Sequence, residues 1–220
     1  ISQVISSGTK IVATIFTHKH PDHIGDMSRI SEIYDAPIWA SPITLSAISH
    51  DGLSSSIEEG DSFSLRGPNG TMEWSVIETP GHCPGHICLV GEPGIVSGDN
   101  CVVVGTILVP SSDGNMNSYI SGLQRIRSLG PTMLFPGHGP ACTNPPRLLE
   151  RYIKHRTTRH DGVLNAVLSG LSGLEEITLY AYQDSPDAHP ILSRDQTLSH
   201  LNSLVESKMI EIRGGHYFPA

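Results

Sequence analysis

The chain has 220 residues, a formal net charge of −8 with its histidines neutral, and 38% hydrophobic residues. This length is enough for one sizeable core, or for a core with a small additional domain. The acidic balance excludes a generally basic surface for nucleic acids or anionic membranes, and no apolar run approaches the ~20 residues of a membrane span. The four cysteines form no C-x-x-C pair, which predicts reduced thiols and an intracellular location, cytoplasmic or mitochondrial.

Strand and helix patterns alternate over about the first 150 residues. Runs of β-branched and apolar residues predict strands, which are in chain order "IVATIFT", "PIWAS", a meander within "EEGDSFSLRGPNGTMEWSVIET", a pair within "HICLVGEPGIVSGD", and "TMLFPGHG". Helices are predicted mainly from apolar residues at helical spacing. In chain order they are the last part of a helix in "ISQVISSGTK", a helix with Met27, Ile30 and Tyr34, the short helix "PITLSAIS", a helix capped by Asn117 or Ser118, and the helix in "PRLLERYIKHR".

Helices followed by a final hairpin are predicted for the rest of the chain. Ser172 with Glu175, and Ser193 with Gln196, fit the capping box at a helix start. Three helices and a hairpin follow the order of a winged helix, so we predict a small domain of this type over residues 151–220.

The charge of this second domain argues against a role in reading DNA. Residues 151–220 contain seven basic and eight acidic residues, whereas a winged helix that binds duplex DNA is expected to be basic. We therefore predict a cap over an active site, or a homodimer surface, and no duplex DNA partner.

Four of the predicted strands end in a side chain that can bind metal. These side chains are His18, His82, Asp99 and His138. Sites of α/β sheets assemble beyond the carboxyl ends of strands, so we expect the four residues to share one site. The alternative is a set of exposed loop histidines with no common role, which the number of converging ligands disfavours.

The first cluster, "FTHKHPDHIGD", has the composition of a loop that serves two metals. His18 and His20 are two residues apart and project to the same side of an extended segment. Asp22 and His23 follow the bend at Pro21 and can face a second point. Imidazole and carboxylate ligands suit zinc, iron and manganese, and Asp99 has the two oxygens needed to bridge a pair of ions.

The motifs "THKHPDHIGD", "ETPGHCPGH", "SGD" and "FPGHG" resemble, in this order, those of the metallo-β-lactamase superfamily. The resemblance covers residues 1–150 and implies an α+β domain there, an αββα sandwich, with the first strands of that fold lying outside this sequence. It also implies two divalent ions, zinc first among the candidates. One ion would be held by His18, His20 and His82, and the other by Asp22, His23 and His138, with Asp99 as the bridge.

The segment "LLERYIKHRTTRHDGVLNAV" and the later "LSHLNSLVESKMIEI" are similar to the β-lactamase-like protein 2 group of this superfamily. Animal members of that group include mitochondrial endoribonucleases that cut single-stranded RNA. Related fungal proteins are thioesterases that act on carrier-bound chains. The resemblance therefore implies two substrate classes for one metal chemistry.

Five further residues are candidates for supporting roles. Cys83 and His86 follow the predicted ligand His82 and are predicted to support the ligands, with simple packing as the alternative. Cys83 could also bind metal directly. Arg151, Lys154 and Arg156 form a basic stretch that can pair with anionic substrate groups, with a solvated helix face as the alternative.

Three functions follow from these observations. The first is a binuclear hydrolase in which metal-bound hydroxide cuts a phosphodiester of single-stranded RNA, with Asp22 as a further proton acceptor. The second applies the same chemistry to a small acyl substrate, a thioester or lactone, and the scarcity of aromatic stacking residues favours it slightly. The third is an interaction protein with a spent metal site, which the complete ligand set disfavours.

Overall fold

The structure is a computed structural model that describes residues 8–48 and 52–220. Contacts between residues divide the chain into two units. The first unit comprises Ile1–Glu78 together with Gly85–Glu92, and the second comprises Thr79–Pro84 together with Pro93–Ala220. Most of the helix end predicted in "ISQVISSGTK" lies outside the described residues.

A parallel sheet and three helices form one part of the first unit. The sheet has the order β1 (Thr14–Ile15), β2 (Ile38–Ala40) and β3 (Ser54–Ser56). The predicted strand "IVATIFT" is thus regular over two residues only, although Phe16 N still donates to Trp39 O at 2.9 Å. The three exposed serines of β3 lack any apolar pattern, which explains why sequence reasoning missed this strand.

The helices of this part are α1 (Pro21–Ile24), α2 (Met27–Tyr34) and α3 (Pro42–Ala47). Ser41 caps α3, where its hydroxyl accepts from Thr44 N at 3.2 Å. Helix and strand side chains pack around a small core, whose buried members are Phe16, Ile38 and Ala40.

An antiparallel meander forms the remainder of the first unit. Its strands are β4 (Ser62–Gly67), β5 (Gly70–Glu78) and β6 (Ile87–Gly91), as the sequence predicts around the Pro-Asn-Gly turn. Strand β5 turns inward toward its end, where Val76 is buried with Ile87.

The second unit begins with a parallel strand pair, β7 (Gly94–Gly98) and β8 (Leu134–Pro136), connected through helix α4 (Met116–Ser128). Helix α4 starts two to three residues earlier than predicted. Asn115 is its cap, because the Asn115 side chain accepts from Ser118 N at 2.9 Å, whereas the Asn117 amide donates to Ser203 O.

The rest of the second unit contains helices α5 (Pro145–Leu168), α6 (Leu174–Ala181) and α7 (Pro190–Glu206), followed by the hairpin of β9 (Ile210–Arg213) and β10 (His216–Pro219). Helix α5 runs without interruption through the boundary predicted at residue 150.

Both predicted capping boxes are wrong in position. Helix α6 starts after Gly173, whose N–H donates to Glu176, while the Ser172 hydroxyl lies 3.3 Å from His216 Nδ1. Helix α7 starts after His189, so Ser193 already lies within its first turn. Proline stands at the start of α7, where its fixed φ suits the first turn of a helix. The helix therefore begins before the cap that the sequence predicts at Ser193.

Helices α5 to α7 and the hairpin share one apolar core, and its buried members are Val163, Ala166, Val167, Ile177, Ala181, Leu201, Leu204, Ile210 and Tyr217. Burial of these side chains is the main favourable contribution to this region's stability. Among the described residues, no helix is long and apolar enough to cross a membrane.

Candidate metal centre

The loop after β1 gathers three imidazoles of the first unit. The His18 side chain is buried, and its Nδ1 lies 3.1 Å from the Thr17 hydroxyl. The ring centroids of His20 and His23 lie 4.8 and 4.0 Å from that of His18. Pro21 starts helix α1 directly after His20, so the chain turns and returns His23 to the ring of His18.

Asp22 and His23 occupy this single helical turn together. Their nearest side-chain atoms, Asp22 Oδ2 and His23 Nε2, are 3.6 Å apart. The turn closes where Gly25 N donates to Pro21 O at 3.0 Å, with Gly25 at a positive φ of 55°. The Asp22 side chain is 60% exposed and that of His23 only 10%, so the carboxylate is accessible while the imidazole is enclosed.

A fifth polar residue of the first unit, His86, lies beside this cluster. Its ring centroid is 5.0 Å from that of His18, and the residue is fully buried. Two hydrogen bonds fix its backbone: Gly85 O accepts from the Ser41 hydroxyl at 2.6 Å, and Ile87 N donates to Thr17 O at 2.9 Å. His86 is thereby held against a predicted ligand.

Parallel pairing of β7 and β8 brings together two predicted ligands of the second unit. The pairing continues past the strand ends, where Gly137 N donates to Gly98 O at 2.9 Å. Asp99 and His138 follow these glycines, and Asp99 Oδ2 lies 3.6 Å from His138 Nε2. The expectation that neighbouring strand ends deliver both residues to one place is therefore met within this unit.

His82 approaches the same carboxylate from a different segment. Its Nδ1 lies 2.7 Å from the carbonyl oxygen of Leu108, and its Nε2 lies 3.7 Å from Asp99 Oδ2. Because a carbonyl can only accept, we assign the imidazole proton to Nδ1, which leaves the Nε2 lone pair directed toward the Asp99 side. Metal-binding histidines are commonly oriented by a hydrogen bond of this type.

The turn before His82 requires glycine. Gly81 has φ of 145°, and a Cβ atom there would overlap the backbone of Tyr119. The Gly81 carbonyl also accepts from Asn115 N at 2.7 Å. Contact with the start of α4 thus fixes the backbone position from which the His82 side chain projects.

Asp99 is anchored through the next residue, Asn100. The Asn100 amide donates to the Thr79 hydroxyl at 3.1 Å and to Ser97 O at 3.0 Å. The Tyr119 hydroxyl donates to Asn100 O at 2.5 Å. Burial raises the pKa of Tyr119, so this hydroxyl keeps the proton that it donates.

The spacing around Asp99 in the second unit fits shared metal coordination. Two ligand atoms at about 2.1 Å from one tetrahedral ion are about 3.4 Å apart, close to the 3.6 and 3.7 Å between Asp99 Oδ2 and its two imidazole nitrogens. Groups of histidine, aspartate and cysteine side chains that can hold a metal ion occur among the described residues. The nitrogen and oxygen donors suit zinc, manganese and iron.

The remaining predicted residues differ in placement. Cys83 is buried directly after His82. Arg151 and Lys154 are exposed on α5, and Arg151 Nη2 donates to Val103 O at 3.2 Å. Arg156 is only 2% exposed and donates to Gln196, Thr106 and Ile107. Its guanidinium is therefore part of the protein interior, and we remove Arg156 from the set of substrate contacts.

Sequence reasoning missed the residues that orient the predicted ligands. Leu108 acts through its carbonyl, which no side-chain motif reveals, and it lies 26 positions from His82. Tyr119 has a signal, since it falls on the apolar stripe of α4, but that stripe predicts burial and not its hydrogen bond to Asn100.

The chain is similar to a recognised family and to characterised structures of it. The family model described as "Metallo-beta-lactamase superfamily" matches residues 3–138. The Beta-lactamase-like protein 2 homolog of Caenorhabditis elegans is 28% identical over 96% of this chain and 70% of its own length. The atrochrysone carboxyl ACP thioesterase of Aspergillus fumigatus is 29% identical over 72% of this chain, which spans about half (48%) of that protein.

Structural comparison gives the same assignment. A beta-lactamase domain protein from Burkholderia ambifaria has a TM-score of 0.79 at 18% identity, over all of this chain and 79% of its own. The protein TTHA1623, in a di-iron-bound form, has a TM-score of 0.54 at 26% identity, over 66% of this chain and 79% of its own. The α+β fold is therefore that of metallo-β-lactamases, and the chain belongs to the metallo-β-lactamase superfamily of metal-dependent hydrolases.

Proposed function

We propose that this hydrolase is binuclear. The proposed ligands of the first ion are His18, His20 and His82, those of the second are Asp22, His23 and His138, and Asp99 is shared. The observation that carries the proposal is the position of Asp99 Oδ2, 3.7 and 3.6 Å from the Nε2 atoms of two histidines. Zinc is the first candidate, and manganese and iron are the alternatives.

A pair of divalent ions supplies an acidified water and neutralises the charge that develops on the attacked group. The protein's own residues then have distinct tasks. Asp22 offers an exposed carboxylate that can accept a proton from the attacking water and return it to the leaving group. His82 keeps one tautomer through Leu108, while Cys83 and His86 fill and support the surroundings of the ligands.

A thioester or related acyl bond is the substrate class that we propose first. A fungal relative that aligns with 72% of this chain carries the name of an acyl-carrier thioesterase. The net charge of −8 and the scarcity of aromatic residues, at 5% of the chain, also disfavour a surface that stacks bases and neutralises a nucleic acid backbone.

Single-stranded RNA is the second candidate, and one surface feature favours it. Next to a cleft of ≈ 190 Å³, lined by Gly105, Thr106, Arg151, Tyr152 and His155, helix α5 exposes the cations of Arg151 and Lys154. A guanidinium and an ammonium beside a cleft suit a phosphate group. The phosphate of a carrier-bound substrate would satisfy the same two residues.

Activity assays with two labelled substrates distinguish the candidates. The zinc-loaded protein is incubated with an acyl thioester and with labelled single-stranded RNA, each with and without chelator. We expect chelator-sensitive hydrolysis of the thioester, lost in Asp99→Asn and retained in Asp187→Asn, an exposed acid of the C-terminal region. Turnover of RNA alone would favour the second candidate, and turnover of neither substrate would contradict both.

We further propose that α5 to α7 and their hairpin form a winged-helix-like domain that binds no duplex DNA and serves either as a cap over the site or as a homodimer surface. The order of these elements and the near-neutral charge of residues 151–220 support this assignment. Size-exclusion chromatography with light scattering measures the dimer directly. The four buried thiols agree with an intracellular location, which remains a prediction.

A further inference from the structure

We infer that two buried residues of the C-terminal helices, Arg156 on α5 and Gln196 on α7, are positioning residues for the ligands His82 and Asp99. The inference rests on the proposed metal site. It assigns to two C-terminal helices a role in holding the backbone and side chains that orient these ligands.

Gln196 satisfies both backbone groups of Val109. Its Nε2 donates to Val109 O at 3.0 Å, and its Oε1 accepts from Val109 N at 3.2 Å. The same Oε1 accepts from Arg156 Nη1 at 3.0 Å. Gln196 is 5% exposed, so these bonds have little competition from water, and losing one would leave a buried polar group unsatisfied.

Arg156 holds the two residues on the other side of Leu108. Its Nη2 donates to the Thr106 hydroxyl at 3.1 Å and also to Ile107 O. Leu108 therefore lies between a residue fixed by Arg156 and one fixed by Gln196. Leu108 is 38% exposed, so the packing of its side chain constrains the backbone only weakly. The hydrogen bonds to Ile107 and Val109 therefore provide most of the constraint on the Leu108 peptide.

The carbonyl fixed in this way is the one that orients His82. Leu108 O accepts from His82 Nδ1 at 2.7 Å. A rotation of the Leu108 peptide would remove the acceptor, and the imidazole would then lose its preference for the Nδ1–H tautomer. The Arg156–Gln196 pair thus helps to keep the Leu108 carbonyl in place, and this carbonyl keeps the Nε2 lone pair of His82 available to a metal.

Arg156 also contacts the residue that anchors Asp99. Its Cζ lies 5.4 Å from the centroid of the Tyr119 ring, within the range of a cation–π interaction. The Tyr119 hydroxyl donates to Asn100 O, next to Asp99 in the chain. One guanidinium thereby connects the surroundings of two proposed ligands.

Arg159 provides a matched control on the same helix, three residues further along. It is 7% exposed and stacks on Tyr182 at 4.0 Å. Its guanidinium donates to Ala181 O and, at 2.9 Å, to Asp184. None of these described contacts involves residues 99–109, so a substitution at Arg159 removes a buried guanidinium without acting on the ligand supports.

The test compares Arg156→Met, Gln196→Met and Arg159→Met with the unchanged protein. Zinc affinity is measured by competition with a chromophoric chelator. Changes in residues that orient a ligand lower metal affinity about 10- to 100-fold. We expect that loss for Arg156→Met and Gln196→Met, and no loss for Arg159→Met, even if all three lower the melting temperature. Gln196→Met alone suffices if Arg156→Met does not fold.

A second measurement uses the metal-free protein and therefore does not depend on the proposed function. Nitrogen-15 NMR of the His82 imidazole reports its tautomer. We expect the Nδ1–H form in the unchanged protein and in Arg159→Met, and a mixture of tautomers in Gln196→Met. Failure of the unchanged protein to bind zinc would contradict the proposed function. An unaltered tautomer and affinity in Gln196→Met, or equal losses in Arg159→Met, would contradict the inference itself.

Discussion

Gly81 has a role that no other residue can take over at its position. Its φ of 145° lies in a region that side-chain-bearing residues rarely adopt, and Tyr119 occupies the space of a Cβ atom. His82 follows immediately, so any shift of this turn moves a proposed ligand. The "TPGH" motif therefore reflects backbone geometry as much as ligand identity.

Gly81→Ala is expected to lower the free energy of unfolding by about 3 kcal/mol or more, because overpacking and backbone strain add. Urea unfolding followed by circular dichroism measures this change. Gly130→Ala is the control, since Gly130 also has positive φ, of 61°, but meets nothing within 4 Å. A loss at Gly81 no larger than at Gly130 would show that Tyr119 yields to the added methyl group.

The positions of the proposed ligands were more predictable than the groups that orient them. His18, Asp99 and His138 follow predicted strands, and this pattern is visible in the sequence. The Leu108 carbonyl carries no residue-type signal, because every residue has one. Arg156 shows the opposite error: its charge suggested a surface role, whereas contacts across the fold determine that it is buried.

At the scale of elements, the positions of most strands were easier to predict than helix starts, because their apolar runs are visible in the sequence. The parallel pairing of β7 with β8, which brings Asp99 near His138, is seen only in the structure. The starts of α4, α6 and α7 each differ from the predicted caps, since several serines and asparagines compete near every start. A side chain that hydrogen-bonds to another part of the fold does not cap the helix. Asn117 is an example, because its amide donates to Ser203 O.

A histidine pair links α5 to α7. His160 Nδ1 and His200 Nδ1 are 3.1 Å apart, so one ring must donate and the other accept. His160 is half-buried in this contact. Burial, reinforced by His160 and nearby arginines, holds the pKa of His200 well below its usual value, and burial also lowers the pKa of His160.

This pair makes stability sensitive to acid. A depressed pKa means that the unfolded chain binds the proton more readily, so the contribution of His200 is complete above about pH 6.5 and is lost as pH falls below it. We expect the free energy of unfolding to fall there by up to about 1.4 kcal/mol per pH unit for each such proton.

Denaturant titrations between pH 8 and pH 5 test this dependence. His200→Gln keeps a buried hydrogen-bonding group but removes the titration, so its stability should fall less steeply with acid. His189→Gln, at an exposed position before α7, should retain the steep dependence. Parallel curves for the unchanged protein and His200→Gln would contradict this account of the pair.

At the scale of the whole molecule, the superfamily and the α+β class were predictable because four motifs keep their order and spacing. The long-range contacts were not, since nothing local pairs Gln196 with Val109, 87 positions away. The predicted domain boundary at residue 150 falls within helix α5, which runs over Pro145–Leu168. The boundary was predicted from a change in composition, and the helix continues through that change.

All four cysteines are buried thiols, which predicts their behaviour toward a thiol reagent. We expect iodoacetamide to leave the folded protein unmodified over the time in which it labels four residues in urea, because modification then requires opening of the core. Mass spectrometry counts the modified residues. Rapid labelling of any cysteine in the folded protein would contradict the burial described here.

Equilibrium dialysis followed by elemental analysis most directly tests the central claim. The protein is first treated with chelator, then dialysed against zinc, and the metal content is expressed per chain. The account predicts two zinc ions per chain, reduced in Asp99→Asn and unchanged in Asp187→Asn. A chain that retains no zinc, or one whose zinc content does not depend on Asp99, would contradict it.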